Sequence, residues 1–323
     1  DRVAIVLNNG PEMAAAFMTV ACHATTAPLN PTYRQEEFAF YLSDLNASAV
    51  ILAADDDGPA LKAAQEKNIP VVRLNSNPSE AAGLFTLTPP GDMAAAASDT
   101  VPGADDVALV LHTSGTTSRP KIVPLLQRNL VASARHIGAT LTLSPSDRCL
   151  NIMPLFHIHG LIAAVLSSLA AGGSIVCTPG FNALNFYKWL DAVKPTWYTA
   201  VPTMHQAILA RSSRNAEIIA GAGLRFIRSS SASLPPQVMT ALEAALNAPV
   251  IESYGMTEAT HQMASNPLPP AAHKPGSVGI AAGPQVRVAS ESQDELLANG
   301  ETGEVVICGP NVTPGYESNP DAN

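Results

Sequence analysis

The chain has 323 residues, of which 46% are apolar and 14% charged, and its formal net charge is −9. Enough apolar surface is available for a large core, which excludes a disordered chain, and the acidic balance argues against a general nucleic-acid surface, because phosphate backbones select for clustered Lys and Arg. The four cysteines, Cys22, Cys149, Cys177 and Cys308, form no C-x-x-C pair; neither a zinc knuckle nor a disulfide framework is indicated, and a reducing compartment is expected.

No run of eighteen apolar residues occurs, and "GLIAAVLSSLAAGG" from Gly160 to Gly173 is too short to span a bilayer. It is expected as a buried helix, with no membrane span. The chain opens at Asp1 directly into the strand-like "VAIVL", so its N-terminus is expected to be incomplete and targeting signals unreadable. One large domain with sub-lobes and two smaller domains are both compatible with this length.

In chain order, Val3–Leu7 reads as a strand, Pro11–His23 as a helix, Arg34–Leu45 as a helix and Ser48–Ala53 as a strand. A bridge from Ser76 to Asp106, rich in Ala, Pro, Ser and Asp, reads as a surface connection. Val107–Leu111 is an apolar strand, followed by the hydroxyl-rich "HTSGTTSRPK". Beyond it, Asn129–Leu141 is helical, Cys149–Pro154 a strand, Gly160–Ala171 the apolar helix, and "SIVCTP" opens a further unit. Asn185–Pro195 reads as a helix, "TWYTAVP" and "LRFIRSS" as strands, and "PPQVMTALEAALNA" as a helix started by proline. Strands alternating with helices predict an α/β fold with mostly parallel sheets and helices on both faces. The short strands in "PQVRVAS" and "GEVVICGP" predict a small β-rich lobe at the end.

Ligands of open α/β sheets bind beyond the carboxyl ends of the strands. Three segments that follow strands are therefore candidates: Thr113–Lys121, Ser229–Leu234 and Tyr254–His261. In the first, Thr113, Ser114, Gly115, Thr116 and Thr117 offer hydroxyl and N–H donors, and Arg119 and Lys121 add positive charge, as a string of phosphate oxygens requires. On composition alone the segment reads equally well as a polar surface turn. It is not a Walker A loop, since Lys121 follows Pro120 and precedes Ile122.

Taken together, these segments resemble the adenylate-forming superfamily, which includes acyl-CoA synthetases, luciferases and peptide-synthetase adenylation domains. "TSGTTSRPK" is similar to its phosphate loop, "SYGMTEAT" (Ser253–Thr260) to its Y-G-x-T-E motif, and "TGEVVICGPNVTPGY" (Thr302–Tyr316) to its T-G-E…GY block. The resemblance covers nearly the whole chain, with the motifs in order. It implies the large N-terminal adenylation domain of that fold over residues 1–323, incomplete at both ends, with the β-rich lobe from about residue 278 and a C-terminal lid domain absent. In such enzymes a carboxylate attacks the α-phosphorus of ATP, pyrophosphate leaves, and the thiol of CoA takes the acyl group from the adenylate.

By this resemblance Thr113, Ser114, Gly115, Thr116, Thr117 and Lys121 hold the β- and γ-phosphates, Thr257 bonds the α-phosphate, and Glu258 with Thr116 holds Mg²⁺. Tyr254 stacks on adenine, Ser231, Ala232 and Ser233 form the opposite wall, and Gly255 and Met256 complete the nucleotide site. Lys121, Thr257, Glu258 and His157 are the implied catalytic residues. Ile122 stands where the family often has glycine. The aspartate that contacts ribose, the hinge and the domain carrying a catalytic lysine are expected beyond Asn323, so the chain alone is expected to bind nucleotide poorly and turn over slowly.

The acid site implied by the family is unusually polar here, with His157 and His159 in "PLFHIHG", Ser229, Ser230 and Ser231, and His261 in "TEATHQMASN". An alkyl or aromatic acid would leave those groups unpaired, at about 1 to 3 kcal/mol each. With "SNPLP" and "HKPGSVG" following, the combination resembles the branch that ligates oxalate to CoA. It implies His261 and Ser231 on the distal carboxylate, His157 near the reacting one and His159 nearby, with ATP, Mg²⁺ and CoA required. His159 reads equally as a core histidine. His157 and His159 at i and i+2 of an extended segment are also spaced for zinc, but no third ligand is evident. Other readings are a medium-chain fatty acid or 4-coumarate-type CoA ligase, a luciferase-like or peptide-synthetase adenylation domain, and a non-catalytic nucleotide-binding fragment. A serine hydrolase suggested by Ser229–Ser233 lacks the G-x-S-x-G elbow. The expected compartment is the cytoplasm, or the peroxisome in a eukaryote; oligomeric state is not legible.

Overall fold

The computed structural model describes residues 1–91, 101–113, 120–292, 294–319 and 321. The first seven strands are β1 (Arg2–Val6), β2 (Thr25–Pro28), β3 (Ala49–Ala53), β4 (Val71–Asn75), β5 (Thr86–Thr88), β6 (Val107–Thr113) and β7 (Lys121–Leu126). They form one sheet in the order β5-β4-β3-β1-β2-β6-β7. The next seven are β8 (Arg148–Asn151), β9 (Ser174–Cys177), β10 (Trp197–Ala200), β11 (Phe226–Ser229), β12 (Val250–Met256), β13 (His261–Ser265) and β14 (Ile280–Ala281). They form a second sheet in the order β14-β13-β12-β11-β10-β8-β9. The interior pairs of both sheets are parallel, and only β4–β5, β6–β7, β12–β13 and β13–β14 run antiparallel.

Helix α1 (Pro11–Ala21), helix α4 (Gln127–Thr140) and a π-helix at His159–Leu166 fill the space between the sheets, with α2 (Gln35–Asp44) and α3 (Pro59–Glu66) on the far face of the first. On the far face of the second lie Phe186–Val193, Pro202–Leu209 and Pro236–Leu246. Period-2 alternation explains this layering. Ile5, Ile51, Trp197 and Phe226 join the inter-sheet core, whereas their neighbours Val6, Leu52, Tyr198 and Ile227 face the outer helices. These strands are thus apolar on both faces at those positions, as a sheet covered on both sides demands.

The apolar segment expected as an α-helix is helical, but it winds as a π-helix before a short α-turn at Ser167–Ala170. At Gly160 a Cβ would come 2.2 Å from the Pro154 carbonyl oxygen, so the chain enters this helix at a closeness only glycine allows. The expected strand Cys149–Pro154 stops at Asn151, because Asn151 Oδ1 accepts the Met153 N–H and turns the chain. The final segment carries the antiparallel ribbon β15 (Gln285–Ala289) with β16 (Glu304–Cys308), while β14 belongs to the second sheet. After β16 the chain returns to the body: Glu317 N–H donates to the Ile122 carbonyl at 3.0 Å and its carboxylate meets Arg2 at 2.5 Å. Among the described residues no helix is long and apolar enough to cross a membrane.

Phe226 is fully buried and stacked on Trp197, ring centroids 5.3 Å apart, where the second sheet meets the inter-sheet helices. Phe226→Ala is expected to cost about 3 to 5 kcal/mol, read as a lower urea midpoint at unchanged slope.

Candidate functional site

The site is built where the carboxyl-terminal ends of β6, β11 and β12 converge with the start of β7 between the two sheets. Thr113 ends β6 directly opposite Lys121, the first residue of β7. Ser231 follows β11, and Gly255 and Met256 close β12 before the 3₁₀ turn Thr257–Ala259. These residues line one cleft of about 340 Å³ together with His157, Ile158, Glu258, His261 and Tyr316. Of the residues expected from the sequence, it unites Thr113, Lys121, His157, Ser231, Gly255, Met256, Thr257, Glu258 and His261. Ser114, Gly115, Thr116, Thr117 and Arg119 lie outside the described residues. Tyr254 (39% exposed), Ala232 and Ser233 stand at the surface and do not line this cleft.

Tyr316, brought back by the returning C-terminal segment, ties the two ends of the cleft. Its hydroxyl donates to Glu258 Oε1 at 2.6 Å, and the Lys121 ammonium lies 4.5 Å from its ring centroid. Burial and the Glu258 carboxylate push the Tyr316 phenol up to about 12, so it remains a donor at neutral pH. Among the described residues no group of three or more His, Cys, Asp or Glu side chains is placed to hold a metal. A lone carboxylate such as Glu258 fits Mg²⁺, which completes its shell with phosphate oxygens and water.

His157 and His159 do not share an extended segment. His159 opens the π-helix, and its N–H donates to His157 Nδ1 at 3.2 Å. The His157 proton must then sit on Nε2. The His159 ring is fully buried: Nε2 lies 2.6 Å from Thr199 Oγ1 and Nδ1 3.0 Å from Ser231 Oγ. His159 therefore positions Ser231 rather than lining the cleft itself. His261 lines the cleft at 2% exposure, with its ring centroid 4.9 Å from that of His159. Burial, reinforced by the nearby Arg228 cation, holds both imidazoles well below their ordinary value, so both are neutral.

Backbone strain is concentrated at the same place. Ser231, Thr260 and His261 have φ of 71°, 50° and 93°, conformations that side chains with a Cβ rarely adopt. The corner is held by Ser133 Oγ, which donates to the Thr260 carbonyl at 2.5 Å, and by Asn311, whose Nδ2 donates to the Ala259 and Gln262 carbonyls at 2.7 and 3.2 Å. Thr260 Oγ1 donates in turn to the Asn311 carbonyl at 2.7 Å. Sequence reasoning assigned no role to Ser133, Thr199, Arg228 or Asn311. Of these only Arg228 left a signal, a charge that follows directly on the apolar Phe226 and Ile227 of its strand.

A second cleft of about 290 Å³ shares Thr113, His157, Ile158 and Thr257 and is lined further by Asn30 and by aromatic and apolar groups, among them Tyr33, Tyr41 and Phe156. His112 also lines it, paired with Asp44 at 3.1 Å.

The sequence profile described as AMP-binding enzyme matches residues 1–317. An oxalate–CoA ligase of Arabidopsis thaliana is 44% identical, the match covering all of this chain and 63% of that protein. An oxalate–CoA ligase of Saccharomyces cerevisiae is 39% identical, again covering all of this chain and 63% of the relative. A solved malonyl-CoA ligase, a ternary product complex with methylmalonyl-CoA and AMP bound, is 30% identical with a TM-score of 0.79, covering 99% of this chain and 65% of that one.

At Gly255 a Cβ would lie 1.6 Å from the His261 carbonyl oxygen. Gly255→Ala is expected to pry β12 from β13, destabilising by roughly 1 to 3 kcal/mol or more, read as a lower urea midpoint. The buried histidines also set a pH dependence. His159 and His261 are depressed and His205 is pulled down to about 4 by burial. The unfolded chain protonates near 6.5 while the fold does not, so stability is lost as pH falls below about 6.5, by up to about 1.4 kcal/mol per pH unit for each histidine. Urea midpoints are expected to be level from pH 8 to 7 and to fall between pH 6 and 5.

Proposed function

Because the chain belongs to the family of AMP-binding enzymes, we propose that the protein is an ATP-dependent acid–CoA ligase that activates oxalate through an acyl-adenylate. The observation that carries the acid assignment is the wall of His157, Ser231 and His261 on the same cleft as Lys121, Thr257 and Glu258. A phosphate-binding rim and an acid-binding wall within one cleft of about 340 Å³ suit a reaction in which a small carboxylate attacks a nucleotide phosphorus. The names of the oxalate–CoA ligase relatives support the same acid. A fatty acid or coumarate would bury alkyl or ring surface against these polar groups and leave them unpaired.

In this reading Lys121 and the hydroxyl of Thr257 offset charge on the phosphates, and Thr113 stands with them at the rim. The motif resemblance assigns Ser114, Gly115, Thr116 and Thr117 to the same phosphates, and Tyr254, Ala232 and Ser233 to the adenine. Mg²⁺, when bound, neutralises phosphate charge; Glu258 would hold it, with Thr116. Tyr316 keeps Glu258 aimed at the cleft through its 2.6 Å hydrogen bond. Neutral His157 presents Nε2–H to the reacting carboxylate, while His261 and Ser231 hold the distal one. Four free cysteines support a reducing compartment such as the cytoplasm as the setting.

The test is pyrophosphate release by the full-length polypeptide with oxalate, malonate, octanoate and 4-coumarate. Oxalate is expected to give the highest kcat/KM, and preference for octanoate or coumarate would overturn the assignment. His261→Ala is expected to raise the oxalate KM by roughly 10- to 100-fold while moving the ATP KM little. Equal rises in both would move His261 to the nucleotide.

A further inference from the structure

Arg228 is the third residue of β11, in register with Thr199 of β10 and Ile251 of β12. By alternation its side chain shares the inner face with Phe226, between Thr199 on one neighbouring strand and the apolar Ile251 on the other. It is fully buried. Nη2 reaches His261 Nδ1 at 3.4 Å and Gln262 Oε1 at 3.2 Å, whereas Nε and Nη1 have no hydrogen-bond partner. Among the described residues no carboxylate lies within ion-pairing distance of it. Burial lowers the guanidinium to about 9, which still leaves it charged at neutral pH.

A buried cation without a counter-charge is strongly unfavourable, because the loss of hydration is returned only by a partner. Hydrogen bonding to Gln262 does not supply a negative charge. The cleft on the other side of His261 does have room for one. We propose that Arg228 is the specificity-determining positioning residue of the acid site, a fixed cation behind His261 that favours an acid carrying a second negative charge.

Two effects follow from its chemistry. A guanidinium has only donors, so His261 Nδ1 must accept and the ring proton must sit on Nε2, ready to be donated to a carboxylate. The same cation opposes protonation of His261 and His159, so the wall keeps its neutral donor pattern while the net charge behind it stays positive. An acid with an apolar tail leaves that charge uncompensated, whereas a dianion offsets it. This gives discrimination through electrostatics rather than pocket volume.

The inference rests on the acid–CoA ligase reading, and the test separates the two. Pyrophosphate release by the full-length protein is measured with oxalate and with acetate, each with ATP and Mg²⁺ in excess, for the wild type, Arg228→Met and Arg228→Lys. Arg228→Met is expected to raise the oxalate KM by roughly tenfold or more with the ATP KM nearly unchanged, and to lower the oxalate-to-acetate ratio of kcat/KM by a similar factor. Arg228→Lys is expected to restore part of that ratio. Equal losses for both acids would make Arg228 a structural residue and overturn the proposal while leaving the ligase reading intact. A wild type that prefers acetate over oxalate would instead overturn the oxalate assignment. Should the variants fail to fold, the tautomer of His261 decides: nitrogen NMR of the wild type is expected to show Nε2–H, and an Nδ1–H ring would overturn the proposal.

Discussion

The backbone at Thr260 and His261 passes through left-handed φ of 50° and 93°, conformations that cost of order 1 to 3 kcal/mol each for residues with a Cβ. The site depends on that corner. It turns the chain from the Thr257–Ala259 helical turn into β13, so that Glu258 and His261 face the same cleft from opposite ends of four residues. The strain is sustained because the surroundings over-determine it. Ser133 comes from α4 between the sheets, and Asn311 from the segment that follows β16. Both are buried, and each bond they make to the corner replaces one that water cannot supply.

The same arrangement explains why the returning segment matters to chemistry as well as stability. Residues 311–317 have little regular structure, yet Asn311 pins the strained corner and Tyr316 bridges Lys121 and Glu258. Thr313 continues the clasp, its N–H donating to the Glu258 carbonyl at 2.8 Å and its hydroxyl to the Pro124 carbonyl at 2.6 Å. A single stretch of chain thus joins β7 of the first sheet to the end of β12 in the second.

Much of this was legible in the sequence where the signal was local. The alternation of apolar runs gave the α/β layers, since strands such as "VAIVL" and helices such as Pro11–Ala21 state their own burial. Hydroxyl, lysine and T-E motifs located Thr113, Lys121, Thr257 and Glu258 at strand ends. What escaped depends on contacts distant in sequence. Asn311 meets Ala259 across 52 residues, and no local pattern distinguishes it from a turn asparagine. His159 was ambiguous for a related reason: only the register of β10 and the course of the π-helix show that its ring is used up between Thr199 and Ser231. The helix Pro202–Leu209 went unassigned because its start was absorbed into the preceding strand, although proline at the first turn marks it.

On the proposed ligase reading the reaction joins two anions and needs positive charge on both sides of the junction, and the two charges have different tasks. Phosphates arrive, change and leave, which suits Lys121: a compact ammonium on a flexible stem, partly exposed at the rim and lying against the Tyr316 ring. A second carboxylate on the acid does not react and has only to be recognised, which suits a guanidinium immobilised in a sheet. Arg228 has no freedom to follow a ligand, since the inter-sheet core surrounds it and Gln262 bonds it. Its proposed influence would act through the neutral histidines it faces, giving the cleft a preference for charge without a mobile cation that could compete for the phosphates. In that reading catalysis belongs to the exposed rim and selection to the buried wall, with His157 and Thr257 between them.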